Sequence, residues 1–533
     1  MTQLVESAEA GFTAPERVRS PRAAGPLLPA AVGVLLWVGT AISMSLLDRD
    51  PAAEVAVIAV IWLNITLMLL ALSAEIRRRP YSLHAIHLIA LFLFLGAPSL
   101  FQYTVGEFAV AGRIEEFRRD TPVAVFAVLL WIVGYVGAYE LHHAFARPER
   151  RGPVARFLSR EISSTRAVFT LVLAVLVLVY LGAVVGLAGV TTRAGAREAA
   201  AGFTLEQGVG SGLAFYLINH LLLRAFPLVA LAAGLLVLRR KNLPSRWFVT
   251  LLVVTVAVGV YLADNPFAGA RIWLVTAMFA VAAPWVFARM RTGWAVVAMS
   301  IAGLTILPAL SHIRDVASFE ASVDILRRAG LTSPLDYLAY STDPDSLGML
   351  VLCVRWTTFF GHQWGLQIAS GLLAWFPRYL WPGKGVGTGG MVTGDLGFEF
   401  TNLASPIVAE PLVDFGLPGV MLVAALLAIV FSNLDRAYWS PGPAPEATTR
   451  IIDVVLPFWL GLVIVFVRGD LMTADVFILA FTFWVLPLGI GGSTRRRASP
   501  LDVDAPWGLG ASRDPAHTRE RAAERDSAAL RSE

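Results

Sequence analysis

Twelve stretches of about 20 apolar residues recur along this 533-residue chain, and they limit its fold more than any other feature. A helix of about 20 apolar residues is long enough to cross the hydrocarbon core of a bilayer. Only 15% of the residues are charged, compared with about 25% in soluble domains. The sequence therefore predicts an all-α polytopic membrane protein with about 12 transmembrane helices. The stretches lie near residues 27–47, 54–74, 83–102, 122–143, 167–190, 212–238, 247–264, 271–288, 294–310, 415–432, 451–467 and 475–492.

The placement of arginine predicts the orientation of these helices. Lys and Arg concentrate in the cytoplasmic loops of membrane proteins. One set of alternate loops carries basic runs such as Arg77–Arg79, residues 239–241 and Arg495–Arg497, whereas the other set carries fewer basic residues. With an even number of spans, both termini are predicted to be cytoplasmic. Residues 1–26 and 493–533 are then cytoplasmic tails, the second disordered because it has few large apolar groups.

One connection is much longer than the others. Residues 27–310 hold the first nine predicted helices and residues 415–492 the last three, so residues 311–414 form a large extracytoplasmic loop. Long loops of this kind are usually functional. Two apolar segments within it, residues 347–354 and 366–376, are too short to span a membrane. They predict re-entrant or interfacial helices.

Charged residues in this loop form a compact motif. Arg378 and Lys384 flank Trp381, and two prolines restrict the backbone around them. The glycine-rich residues 385–390 match G-x-G-x-x-G, but no strand precedes them, which excludes a dinucleotide-binding unit. Glycine-rich backbone beside two cations is suited to binding an anion. A merely flexible loop is the alternative.

Four carboxylates follow the motif in two pairs. Asp395 and Glu399 are four residues apart, as are Glu410 and Asp414. In a helix this spacing places both carboxylates of a pair on one face. Carboxylates beside apolar membrane surface are suited to accept a proton, and simple solvation of each pair is the alternative.

Two further arginines belong to predicted spans. Arg224 lies near the centre of the sixth, one turn after His220, and Arg271 begins the eighth. A cation in mid-membrane costs roughly 2.5–3.5 kcal/mol, so it normally faces a partner or an aqueous cavity. Arg224 is thus a candidate ligand for a charged substrate, with a structural hydrogen bond as the alternative. The sequence contains no H-E-x-x-H motif and no phosphate-binding G-x-x-x-x-G-K-[ST], so no metal or cofactor is predicted.

Together these motifs resemble the oligosaccharide repeat-unit polymerases, the Wzy-type O-antigen polymerases. The resemblance is carried by Pro377-Arg378-x-Leu380-Trp381-Pro382-x-Lys384, Ser405-Pro406-Ile407, Glu410 and Asp414-Phe415-Gly416-x-x-Gly419. It includes the late large loop and Arg271 at the start of a preceding span. The chain departs from the family in its glycine-rich residues 383–390 and in Asp414, where Asn is commoner. The architecture also resembles the GT-C-type membrane glycosyltransferases.

The resemblance implies a glycosyltransferase at the outer face of the bacterial plasma membrane. It would transfer a growing glycan from polyprenyl diphosphate to a lipid-linked repeat unit, and the activated donor makes a cofactor unnecessary. Implied partners are the lipid-linked oligosaccharide, the bilayer, a chain-length regulator and a flippase, with no nucleic acid. Glu410 is the first candidate base, followed by Asp395, Glu399 and Asp414, with His362 as a non-acidic alternative. Candidates for stabilising the diphosphate or binding the substrate are Arg224, Arg271, Arg355, Arg378, Lys384, His220, His362 and Trp381.

Three other functions remain open from the sequence. A lipid-linked glycan ligase would share the polymerase architecture. A flippase or transporter of lipid-linked oligosaccharides would also have many spans, but it would typically show internal repeats, and none is visible. A non-catalytic scaffold for envelope assembly is the third alternative.

Overall fold

The computed structural model describes residues 27–47, 50, 53–145, 153–186, 217–240, 243, 245–263, 271–284, 294, 334–399, 403–439 and 449–489. Within these ranges the chain is mostly helical, and eight helices are long and apolar enough to cross a membrane. This confirms the predicted all-α class. The eight long apolar helices are consistent with a multi-pass membrane protein. The two predicted tails, nearly all of the ninth predicted span and residues 311–333 of the loop lie outside the described residues.

The first half of the chain forms ten described helices and one small hairpin. The helices are α1 (Leu27–Ser45), α2 (Val55–Arg78), α3 (Leu83–Leu91), α4 (Ala97–Val105), α5 (Asp120–Phe145), α6 (Pro153–Leu158), α7 (Ser164–Val184), α8 (Leu223–Val237), α9 (Arg246–Ala263) and α10 (Arg271–Ala282). A π-helical turn, Phe92–Gly96, joins α3 to α4, and a second, Leu217–Leu222, precedes α8. The hairpin pairs β1 (Glu107–Phe108) with β2 (Gly112–Arg113), and a 3₁₀ turn, Ile114–Phe117, follows it.

The second half contains the elements that build the candidate site. The described helices are α11 (Pro334–Tyr340), α12 (Ser346–Phe360), α13 (Leu366–Leu372), α14 (Thr388–Asp395), α15 (Ala409–Trp439), α16 (Ile451–Arg468) and α17 (Leu471–Gly489). The tenth span was predicted to begin near residue 415, close to the point where α15 divides into a short and a long helical segment. Gly416 interrupts α15 with φ 67°, a left-handed conformation that glycine adopts without steric cost. The two carboxylates before this bend, which interrupt the apolar pattern, therefore lie within the helix.

Different ion pairs lie at the two opposite ends of the helix bundle. At the end with the arginine-rich loops, Arg78 forms a 2.8 Å ion pair with Glu140, which joins α2 to α5. At the opposite end, Arg355 of α12 forms a 3.0 Å ion pair with Asp120, and Arg468 forms one of 2.9 Å with Asp343. The residues that follow α12 in the predicted loop, together with the starts of α15 and α17, belong to this second end.

The first short apolar segment of the loop forms α12, which is buried inside the bundle. Residues 346–354 are all buried, and α12 packs against α5 and α15. Asp345 caps this helix by accepting hydrogen bonds from the Gly348 and Val110 backbone N–H groups at 2.7 and 2.6 Å. The cap therefore attaches α12 to the hairpin region.

Replacing Asp345 by Asn is expected to remove a pH dependence of stability. Burial raises the pKa of the Asp345 carboxyl from 3.8 to about 6, despite the two N–H donors. Because the folded state binds this proton more tightly, its contribution to stability is complete below pH ~4 and is lost as the pH rises through about 6. The loss is about 3 kcal/mol. Thermal unfolding in detergent should show Asp345→Asn becoming progressively more stable than wild type between pH 4 and 7. A constant difference would contradict the assignment.

Candidate functional site

The two cations of the predicted motif hold a single loop closed. This cation loop, residues 373–387, connects α13 to α14. The Lys384 ammonium donates hydrogen bonds to the carbonyls of Ala374 and Phe376 at 2.7 and 3.0 Å. The Arg378 guanidinium donates to the carbonyls of Lys384 and Gly385 at 2.7 and 2.8 Å. Each cation therefore binds the opposite side of the loop.

The cations differ in what they can offer a ligand. Lys384 is only 6% exposed, and burial together with the charge of Arg378 lowers the pKa of its ammonium, while Asp475 opposes this shift. Arg378 is exposed. A guanidinium carries five N–H donors, and the two backbone carbonyls leave donors of Arg378 for an anion. Arg378 is thus the accessible cation, and Lys384 holds the loop in shape.

Glu410 lies in the first turn of α15 and is 3% exposed. Its Oε1 atom accepts a 2.9 Å hydrogen bond from the Leu471 backbone N–H at the start of α17. Within the described part of the chain, Oε2 has no hydrogen-bond partner. A buried carboxylate oxygen without a donor is unfavourable unless a ligand or a proton satisfies it.

The start of α17 also supports the cation loop. Asp470 caps α17 through a 2.8 Å hydrogen bond from the Thr473 N–H to its Oδ1 atom. A Cβ atom at position 387 would collide with its Oδ2 atom, so any residue other than glycine would require the Asp470 carboxylate to move. The glycine-rich segment thus permits a close approach of backbone to carboxylate. The cation loop and the Glu410 carboxylate both contact the first residues of α17.

The Asp414 carboxylate holds the backbone at the start of α13 in position. It is fully buried, and its two carboxylate oxygens accept hydrogen bonds from the N–H groups of Gln367 and Ile368 at 3.1 and 2.8 Å. Its own carbonyl accepts a 3.0 Å hydrogen bond from Trp364, a residue with the strained left-handed φ of 53°. Asp414 therefore fixes the turn before α13. Glu410 and Asp414 lie one turn apart at the start of α15, as the spacing predicted.

The other predicted pair is not arranged on one helix face. Helix α14 ends at Asp395, and Gly397 follows with φ 80°, so Glu399 lies beyond the helix. Asp395 and Glu399 therefore do not share a helix face, because the backbone turns before the helix can continue. Both carboxylates are exposed, and Asp395 accepts a 2.9 Å hydrogen bond from the Trp356 indole.

Three of the remaining predicted residues, Arg355, Arg224 and His362, lie at different places in the structure. Arg355 is paired with Asp120 and stacks on the Phe117 ring at 3.7 Å, away from the cation loop. Arg224 is buried, with its guanidinium 5.5 Å from the Trp273 ring centroid. The exposed His362 ring lies against Gly416.

Three further predicted residues are Trp381, Arg271 and His220. Trp381 is half-buried in the cation loop, where its backbone N–H donates to the Pro377 carbonyl at 3.3 Å. Arg271 begins α10, and His220 belongs to the π-helical turn before α8. The side chains of Arg271 and His220 lie outside the described part of the structure.

Sequence reasoning missed two acidic residues near the start of α17. One is its cap, Asp470, and the other is Asp475 within the helix. Asp470 follows the eleventh predicted span, and Asp475 is the first residue of the twelfth. Asp475 is one turn beyond Leu471, which packs on Gly371 of α13, and its charge acts on Lys384. A carboxylate inside a predicted span is itself a signal of function, and this signal could have found Asp475.

Among the residues that the structure describes, no group of three or more His, Cys, Asp or Glu side chains is arranged to hold a metal ion. No protein-family model, curated protein or solved structure matches the chain.

Proposed function

We propose that this chain is a membrane glycosyltransferase that polymerises polyprenyl-diphosphate-linked oligosaccharide repeat units into a surface or exopolysaccharide. The reaction takes place at the outer face of a bacterial plasma membrane. One observation carries the proposal: a loop closed by two cations and a buried carboxylate with an unsatisfied oxygen contact the start of the same helix, α17. The apolar helices and the resemblance to repeat-unit polymerases support it.

These groups suit the chemistry of glycosyl transfer from a lipid diphosphate. A hydroxyl of the incoming sugar forms a bond to the anomeric carbon of the growing glycan, and the bond from that carbon to the diphosphate oxygen breaks. The diphosphate leaves with the electron pair, and the free N–H donors of Arg378 stabilise its charge. Glu410 accepts the proton of the attacking hydroxyl. Lys384 and Asp414 keep the loop and the preceding turn in place.

The size distribution of lipid-linked glycans in a deletion strain tests this function. We expect single repeat units to accumulate at the outer face, and wild-type protein to restore long chains. Arg378→Ala should not restore long chains. Arg378→Lys keeps the charge but cannot form bidentate hydrogen bonds, so it should restore long chains partly. Arg113→Ala, at an exposed arginine of β2 in the same end of the bundle, is the matched control and should behave as wild type.

Two other profiles would overturn the proposal. Single units that remain on the inner face would identify a flippase. Full-length lipid-linked polymer that accumulates without transfer to its final acceptor would identify a ligase. Expression and membrane insertion of each variant are compared by immunoblotting of membranes, so that a missing protein is not taken for an inactive one.

A further inference from the structure

The short helix α13 has its polar face turned inward. Gln367, Ser370 and Gly371 are buried. Ser370 accepts a 2.8 Å hydrogen bond from the Gly385 N–H of the cation loop, and Gly371 packs on Leu471. The outward residues of α13 and the position after it, Leu372 and Leu373, are 56% and 38% exposed. A helix beside water normally shows the reverse arrangement, with its apolar face buried.

Large aromatic side chains extend this outward apolar surface in both directions along the chain. Trp364 before α13 is 78% exposed, and Trp375 and Tyr379 after it are 63% and 80% exposed. The surface continues onto a membrane-length helix, because the Phe415 ring of α15, itself 40% exposed, lies against Gly365. Further along α15, the exposed apolar residues include Met421, Leu422 and Leu426.

We propose that residues 364–380 form an interfacial platform that lies in the headgroup layer of the bilayer. Tryptophan and tyrosine concentrate at this depth, where an apolar ring meets hydrocarbon and its polar edge meets water. The apolar side chains of α13 face outward, and the exposed surface of residues 364–380 continues onto the outward face of α15. Both features require an apolar partner on the outer side of α13. The exposed Arg378 complements the phosphates of lipid headgroups.

The platform sets the depth of the cation loop. Since Arg378 is both exposed and part of the platform, it lies at the level where lipid phosphates lie. A diphosphate attached to a membrane lipid could then reach Arg378 without leaving the bilayer, a consequence that rests on the proposed function. The platform itself does not depend on any activity.

Fluorescence quenching in proteoliposomes tests the platform. Cys353 is the chain's sole cysteine and is fully buried, so unmodified protein should take up little thiol-reactive label. Single cysteines replace Leu372, Trp375 or Tyr379 and carry a bimane label in phosphatidylcholine–phosphatidylglycerol vesicles. Glu399→Cys is the water-facing control, and Leu426→Cys, in the middle of α15, is the control for the hydrocarbon core.

We expect headgroup nitroxide lipids to quench the three platform labels at least about twofold more than the label at position 399, and aqueous iodide to quench them less. Leu372→Cys and Tyr379→Cys retain Trp375, so a fold disturbed at one position does not decide the result. Iodide quenching equal to that at position 399 would overturn the proposal, as would deep-nitroxide quenching equal to that at position 426. Protection from both quenchers would show that protein covers the surface, and would overturn it too.

Discussion

Glu410→Gln is expected to lower the rate of glycan polymerisation by about 10²–10⁴-fold. The amide oxygen of Gln can still accept the hydrogen bond that the Leu471 N–H donates at 2.9 Å, so the contact between α15 and α17 remains. An amide cannot take a proton from the attacking sugar hydroxyl. The measurement is the number of repeat units added per unit time in membranes supplied with lipid-linked oligosaccharide.

The matched control for this variant is Glu107→Gln, which makes the same chemical change at an exposed carboxylate of β1 at the same end of the bundle. It should leave the rate unchanged. Normal polymer length and rate with Glu410→Gln would remove Glu410 as the base. If Asp395→Asn then lowered the rate instead, the proton acceptor would lie at the end of α14.

Asp435→Ala is expected to destabilise the protein by about 3–5 kcal/mol, because it removes one of the two carboxylates beside the buried Arg79 and leaves buried N–H and O–H donors without their acceptor. Asp435 is fully buried and accepts hydrogen bonds from the Leu83 and His84 N–H groups at the start of α3. It also accepts a 2.9 Å hydrogen bond from the Tyr139 hydroxyl and lies 3.8 Å from the Arg79 guanidinium. One side chain thus joins α3, α5, α15 and the residue after α2.

Unfolding of the detergent-solubilised protein, followed by tryptophan fluorescence, measures this effect. The matched control is Glu140→Ala, which breaks the Arg78–Glu140 ion pair at the same end of the bundle. That pair is more than a third exposed on both sides, so its loss should change stability by no more than about 1 kcal/mol. An equally small effect of Asp435→Ala would show that the buried network contributes little.

Hydropathy predicted the helices well because each membrane-length helix satisfies its own backbone hydrogen bonds and needs only a long apolar sequence. The starts of α2, α3 and α16 lie within one residue of the predicted boundaries. Hydropathy did not indicate the short helical segment before Gly416, since it treats Glu410 and Asp414 as interruptions. Their partners, Leu471, Gln367 and Ile368, come from segments 46 to 61 residues away, which a local pattern cannot reveal.

By itself, the sequence determined a helical fold with several helices long and apolar enough to cross a membrane, and it singled out the segment with Arg378, Lys384 and Glu410. Only the tertiary structure distinguished the roles within that set. Arg378 remains accessible, Lys384 is enclosed by backbone carbonyls, Asp414 is occupied by backbone N–H groups, and Glu410 keeps an unsatisfied oxygen. The reason is physical: residue type gives charge and hydropathy, but accessibility and hydrogen-bond partners depend on segments distant in sequence that pack together.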